Sequence, residues 1–299
     1  MFRKPSENER EDAMNDSRIE TWSVKTAMKN LTDDCSAKIR SKSSIRTEAE
    51  SDLIFENVTE TGTGFRYRVA TDMAVRDRVY RFAYDIYHGV ALARNGDGRV
   101  VSPHDAGPET FTLLAEDAEG TAVGTVSLVF DSEKGLPCDE IYWLETSRLR
   151  TENRHMAEVT RLALRKDIAD SREVLLRLFN LIYIYARRVR GYTDFVIEVH
   201  PRHAKYYQRA LGFEKAGSEQ KCPRVGGAPA VLARLDLAVP EREVRRVGGL
   251  GGAIKGRSLY PRFWSADREP GLATTMADVW RPMPEHEARY FGIGETGRS

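Results

Sequence analysis

Cysteine is scarce in this chain. Cys35, Cys138 and Cys222 are the only three among 299 residues, and their separations suit neither a zinc ligand set nor a disulfide framework. A reducing compartment, the cytoplasm, is the expected location, and no metal is expected. No apolar run approaches the ~20 residues that a membrane span needs, and the first residues are too polar for a signal peptide. Neither a span nor export is therefore expected. An excess of one charge is also missing: 46 Lys and Arg stand against 45 Asp and Glu, for a net charge of +1. Net charge thus gives no reason to expect a nucleic acid partner, although a local basic face remains open. Apolar residues make up 41% and charged residues 30%, the balance of a soluble globular chain. The length allows one large domain or two small ones.

Residues 1 to 60 read as a disordered or weakly ordered tail. Polar and charged residues dominate there, and the few apolar ones lack a period, so too little surface can be buried to offset ordering entropy. A short helix around Ile19–Leu31 is the one exception considered. Order begins at Phe65, where Phe65–Ala70 alternates as a strand. Asp72 is a suitable N-cap for a helix carrying Val75, Val79, Phe82, Ala83, Ile86 and Val90 at helical spacing. Thr110–Glu116 and Ala122–Phe130 form a hairpin across a turn ending in Gly120. Residues 131–156 read as irregular. Ala157–Arg165 is a strand, and Ser171–Arg190 a long helix opened by Asp170 and Glu173 as a capping pair. Phe195–Val199 is a strand, Pro201 starts the next helix and Gly212 ends it. Ala230–Leu237 closes the series. The order β-α-β-β-loop-β-α-β-α-β predicts a mixed sheet with helices on both faces, hence an α/β (α+β) fold.

This order, with Tyr206-Tyr207 followed by Leu211-Gly212-Phe213, resembles the N-acetyltransferase (GNAT) superfold. Glu158-Val159-Thr160-Arg161-Leu162-Ala163 resembles the Glu-x-Ser/Thr-Arg-Phe/Leu strand shared by autoinducer synthases and long-chain N-acyl amino acid synthases of the FeeM type. His200-Pro201-Arg202-His203-Ala204-Lys205-Tyr206-Tyr207 is similar to a segment of the second family, and Val79–Tyr87 to the first helix of both. The resemblance spans residues 65–239, which are expected to be the acyltransferase domain with a mostly antiparallel sheet. There are departures. Ala83 stands where both families often carry Arg. Ser102–Thr112 offers only Asp105 and Glu109 in place of the acidic cluster with which autoinducer synthases hold S-adenosylmethionine.

What the resemblance implies is N-acyl transfer from a pantetheine thioester. An α-amine is mostly protonated at pH 7, so the reaction needs a base. Glu158 is expected to be that base. Alternation places Glu158, Thr160 and Leu162 on one side of the strand and Val159, Arg161 and Ala163 on the other. Arg161 is expected either to clamp a carboxylate or to brace neighbouring loops. Thr160 is expected to position either group, and Tyr207 or Tyr206 to protonate the departing thiolate. Leu162, Ala163, His200, Arg202, His203 and Tyr206 are expected to bind substrate, with backbone amides near Leu162 forming an oxyanion hole. Each has an ordinary alternative: a salt-bridged surface Glu, a packed core Tyr, a capping His.

The donor is read from an absence. Members that use CoA cradle its pyrophosphate in a glycine-bearing loop at a helix N-terminus. Here Arg165–Arg172 has no glycine and two acids, Asp167 and Asp170. Acyl carrier protein is therefore the expected donor and partner, and a CoA thioester the less favoured one, with no bound cofactor. Arg165, Lys166, Arg172, Lys205 and Arg209 are its expected docking surface, with Arg187, Arg188 and Arg190 as further contributors. Residues 240–299 hold a glycine-rich joint, Val247–Gly252, and then apolar residues that dock on the core, over the acyl slot, or serve a partner. The expected function is an N-acyl amino acid synthase. The alternatives are an autoinducer synthase and a silent acyl-binding module.

Overall fold

Asp72 accepts a hydrogen bond from the Val75 amide at 2.9 Å and starts the first helix, as its position in the sequence implies. The structure is a computed structural model describing residues 53–58, 64–87, 98–251 and 256–293. The expected helix at Ile19–Leu31, Val90 and most of the expected tail lie outside the described residues.

The elements run β1 (Leu53–Val58), β2 (Gly64–Val69), α1 (Met73–Ile86), β3 (Thr110–Asp117), β4 (Ala122–Phe130), α2 (Asp139–Thr151), β5 (Met156–Leu164) and α3 (Ser171–Ile184). There follow β6 (Asp194–Val199), α4 (Pro201–Leu211), β7 (Glu214–Lys215), β8 (Gln220–Cys222), β9 (Ala228–Asp236), α5 (Ala238–Val247), α6 (Glu269–Val279) and α7 (Glu285–Tyr290). The sheet order is β1-β2-β3-β4-β5-β6-β9-β7, with β8 also paired to β9. Among the described residues β5 and β6 are the one parallel pair, joined through α3, and the remaining pairs are antiparallel. The mixed, mostly antiparallel sheet is the one the sequence predicts.

Strand alternation sorts side chains into two layers. Phe111, Leu113, Val126, Leu128, Phe195 and Ile197 face α3 and α4 in the largest apolar cluster. Leu114 faces α1 and α7, while Val129, Val196 and Leu232 face α2. Residues beyond α5 belong to both layers. Tyr260, Phe263, Trp264 and Met276 join the α3 side, and Met283, Ala288 and Phe291 join α1. Trp264 donates its amide to Asn180 Oδ1 of α3 at 2.9 Å, and Phe55 of β1 meets the Trp264 ring edge-on at 4.5 Å.

Four expectations are corrected. The tail read over residues 1–60 gives way at Leu53, because β1 pairs with β2 and Phe55 packs on Tyr67 and Trp264. The segment read as irregular contains α2. Its N-cap residue, Cys138, offers no side-chain cap, Tyr142 breaks the helical φ/ψ run, and Trp143 and Leu144 stay exposed. Those features erase the amphipathic pattern from which a helix is read. The long helix expected to Arg190 is α-helical only to Ile184 and continues as a π-turn over Tyr185–Val189. Its expected capping pair does not form: Asp170 makes no side-chain cap bond, and Glu173 accepts from Arg177 Nε at 2.6 Å.

Candidate active site

β5 and β6 pair at Met156–Asp194, Ala157–Phe195 and Glu158–Val196, and then their pairing stops. From Val159 onward β5 runs beside β4 alone, so the two strands open as a V with Glu158 at its apex.

Just past Thr160, β5 bulges. Thr160 stands opposite Ser127 and Ala163 opposite Thr125, so Arg161 and Leu162 together face the single residue Val126. Arg161 takes φ +48°, a left-handed conformation that costs a non-glycine residue about 1–3 kcal/mol. The bulge overturns the simple alternation expected of this strand. Ala157, Val159, Leu162 and Leu164 all pack in the α3-side cluster, so Leu162, not Arg161 or Ala163, continues the Val159 face.

The Arg161 side chain is held from the opposite layer. Its Nη1 and Nη2 donate to Asp105 Oδ1 and Oδ2 at 3.0 and 2.6 Å, and Nη1 also donates to Ser127 Oγ at 2.8 Å. Its guanidinium lies 5.0 Å from the centre of the Tyr80 ring. Burial works against its charge, and Asp105, Tyr80 and Tyr87 together more than offset that, so its pKa is raised. Asp105 is itself set by a short helical turn, Pro103–Ala106, whose capping box joins Ser102 and Asp105. Of the two roles considered for Arg161, the filled fork corresponds to the brace.

Glu158 is sealed on the α2 side. Its Oε2 accepts the Cys138 amide N–H at 2.7 Å, immediately before α2. Burial pushes its carboxyl up to about 8, the negative Glu198 adds to that, and Arg224 and the Cys138 amide oppose it. Burial, with Glu158 beside it, likewise raises the Cys138 thiol well above its ordinary value. A carboxyl that ionises near neutrality is a much stronger base than an exposed one, and a proton acceptor works best in that range.

Aromatic side chains pack near the bulged arm and on α4. Tyr87, just past α1, donates its hydroxyl to the Leu162 carbonyl at 2.9 Å. On α4, Tyr207 is buried between Tyr206, Phe179 and Phe213, at ring separations of 5.6, 6.1 and 5.8 Å.

The family model for the N-acyl amino acid synthase FeeM matches residues 78–236, more than half of the chain. The chain belongs to the FeeM N-acyl amino acid synthase family. The structure of FeeM from uncultured soil microbes is similar at 25% identity and a TM-score of 0.52, covering 60% of this chain and 93% of that one. The acyl-homoserine lactone (AHL) synthase LasI is similar at 14% identity and a TM-score of 0.46, over 59% and 91% of the two chains. The CoA-dependent acyl-homoserine lactone synthase BjaI follows at 18% identity and a TM-score of 0.43, over 56% and 80%. No protein of curated function matches the chain by sequence. A member of the FeeM family is an acyltransferase, and this chain is therefore an N-acyltransferase.

The remaining expected residues fall into three groups. Thr160, Leu162 and Ala163 lie along the bulged arm of the V, Ala163 buried and the other two half-buried. His200 is the N-cap of α4, its Nδ1 accepting from the Arg202 amide at 3.3 Å and from Arg202 Nε at 3.1 Å, while His203 is buried on the same helix. These contacts are those of a cap. Burial raises the Tyr207 hydroxyl far above an ordinary phenol and raises Tyr206 as well, so both hold their protons firmly. Of the expected docking surface, Lys166, Lys205 and Arg209 are exposed, Arg172 is half-buried, and Arg165 donates to Asp167 through Nε at 2.9 Å.

Arg187, Arg188 and Arg190 do not join that surface. Arg187 and Arg188 are taken up by Glu241, Arg188 also by Glu269, and Arg190 lies over the Phe130 ring.

Sequence reading missed Asp105 as the partner of Arg161, and it missed Tyr87, Cys138, Glu198 and Arg224 altogether. For Glu198 a signal was present, since an acid interrupts the apolar run Phe195-Val196-Ile197-Glu198-Val199. Cys138 acts through its backbone amide, which no side-chain pattern reveals.

Proposed function

We propose that the protein moves a long acyl chain from acyl carrier protein to the α-amine of an amino acid. The observation that carries this reading is the strand opening that begins at Glu158, with a buried, basic carboxylate at its apex. A thioester inserted between β5 and β6 meets backbone on both sides. The amine, arriving as an ammonium, gives a proton to Glu158, and its lone pair then attacks the thioester carbonyl carbon. The C–N bond forms, the C–S bond breaks with its electrons going to sulfur, and a second N–H proton ends on the thiolate. Acid, amide and thiol balance.

The carrier-protein donor is supported by the connection before α3. Arg165 is engaged by Asp167, Asp167 is exposed, and Asp170 stands at the helix N-cap, so negative charge occupies the place where a pyrophosphate would sit. A carrier protein presents one phosphodiester within an acidic surface, which Lys205 and Arg209 on the exposed side of α4 complement.

Mass spectrometry of a reaction containing palmitoyl acyl carrier protein, mixed amino acids and S-adenosylmethionine tests this directly. An N-acyl amino acid is the expected product. A lactone would assign the chain to autoinducer synthesis, and equal use of short-chain CoA with no response to carrier protein would overturn the donor.

A further inference from the structure

Glu158 has a second carboxylate for company. β6 sets Val196 opposite Glu158, and Glu198 lies two residues further along on the same face, on the other arm of the V. Its side chain is 11% exposed and lies nearer to solvent than Glu158, which is 2% exposed as a residue. Its Oε2 is in use, accepting from Arg224 Nη2 and lying 3.8 Å from Cys222 Sγ. Its Oε1 is buried and has no partner. A buried acceptor left unsatisfied keeps the full cost of its lost hydration. Such atoms are rare in native proteins, and each calls for an explanation, such as a catalytic role or a bound ion.

The completing group must be a hydrogen-bond donor, and a cation suits a carboxylate best. An ammonium meets both demands with three N–H groups. We propose that Glu198 is a second acceptor-binding residue, whose Oε1 receives one N–H of the incoming ammonium and holds the nitrogen against Glu158 while Glu158 removes a proton. This rests on the amino acid reading of the acceptor and specifies how that acceptor is held. The chemistry is the transfer described above. One ammonium proton passes to Glu158 and later to water, the second is carried to the thiolate, and the third remains on the amide nitrogen.

The two carboxylates have different surroundings, which divides their roles. Arg224 sits on the helical turn between β8 and β9, bonds Glu198, and lies 3.5 Å from Glu140 of α2. Glu158 has the Cys138 amide as its bonded donor, and Cys138, Glu140 and Tyr142 from the α2 side, with Cys222 and Arg224 from the β8–β9 turn, complete the groups facing the pair. Glu198 has a bonded cation, Arg224, which opposes the burial that raises its carboxyl above the ordinary value, while Glu158 has no bonded cation and stays basic enough to accept a proton.

Glu198→Gln keeps the shape and removes the charge. The expected result is an acceptor KM raised roughly tenfold, the loss of about one charge-assisted hydrogen bond, with the donor KM unchanged. A structural role would move donor and acceptor KM together or change only thermal stability, and either result overturns the proposal. Infrared titration supplies a readout without turnover. The carboxyl band of Glu158, assigned by its loss in Glu158→Gln, is expected to titrate at lower pH in Glu198→Gln, and an unmoved titration overturns the pairing. A wild-type protein that makes no N-acyl amino acid refutes the acceptor class, and the infrared result then still judges the pair.

Discussion

Arg161 and Asp105 are 56 residues apart in the chain and meet as a buried two-pronged ion pair, at 3.0 and 2.6 Å. Their side chains are 5% and 2% exposed. The pair fastens the bulge of β5 to the turn before β3, and through the Tyr80 ring to α1. Arg161→Ala leaves Asp105 charged and buried, and is expected to destabilise the fold by about 3–5 kcal/mol in chemical denaturation. Arg161→Lys keeps the charge but not the fork, and is expected to recover only part of that.

Glu158→Gln is expected to lower kcat/KM by roughly two to four powers of ten while the circular dichroism spectrum stays the same. In the wild type, kcat/KM is expected to rise with pH up to about 8, where Glu158 loses its proton. The stability consequence has the opposite sense. The folded carboxyl titrates above its unfolded value, so its contribution is full below the unfolded pKa and is lost as pH rises toward about 8. Glu158→Gln should flatten that decline in a series of melts between pH 5 and about 8. A variant with the same slope as the wild type would remove Glu158 as its source.

Gly217 lies where a β-carbon would meet the Tyr142 ring at 2.7 Å and Leu232 Cβ at 3.1 Å. Tyr142 anchors α2 by donating to the Ala230 and Ser218 carbonyls at 2.7 and 2.9 Å. Gly217→Ala should cost about 1–3 kcal/mol by overpacking. It should also reduce kcat, because α2 begins beside the Cys138 amide that holds Glu158. Denaturation and steady-state kinetics on the same preparation check both effects.

Met276 is fully buried in the cluster it shares with α3. Met276→Ala is expected to cost about 2–5 kcal/mol. Truncation after Gly251 removes Phe263, Trp264, Leu272, Met276 and Val279 together and uncovers that face of the core. The shortened chain is expected in the insoluble fraction on expression, and a soluble, active product would contradict the packing.

Lys205→Glu with Arg209→Glu is expected to raise the KM for acyl carrier protein roughly tenfold while leaving a free acyl-pantetheine unaffected. The wild-type KM for the carrier should climb with ionic strength, and that climb should be blunted in the variant.

Much of the fold was legible because it follows from local rules. Asp72 caps α1, Pro201 and Gly212 bound α4, and the β3–β4 hairpin turns at Gly120 with φ +82°. Of the candidate site, the placement of the β5 residues Glu158–Ala163 was legible through their motif. The Asp170–Glu173 pair shows the limit of such reading, since residues suited to a cap are free to bond elsewhere, as Glu173 does with Arg177.

Sequence by itself determined the order β2-α1-β3-β4-β5-α3-β6-α4-β9, the apolar faces those elements bury, and the family strand Glu158–Ala163. Periodicity and capping depend on neighbours a few residues apart, which the chain order already supplies. Tertiary structure alone decided that β5 parts from β6 after Glu158, that Arg161 is spent on Asp105, and that Glu198 and Arg224 stand beside Glu158. The bulge reverses the strand's alternation, and the charge on Glu158 depends on burial and on residues up to 66 positions away. Those are properties of a three-dimensional field, and no local pattern of side chains encodes them.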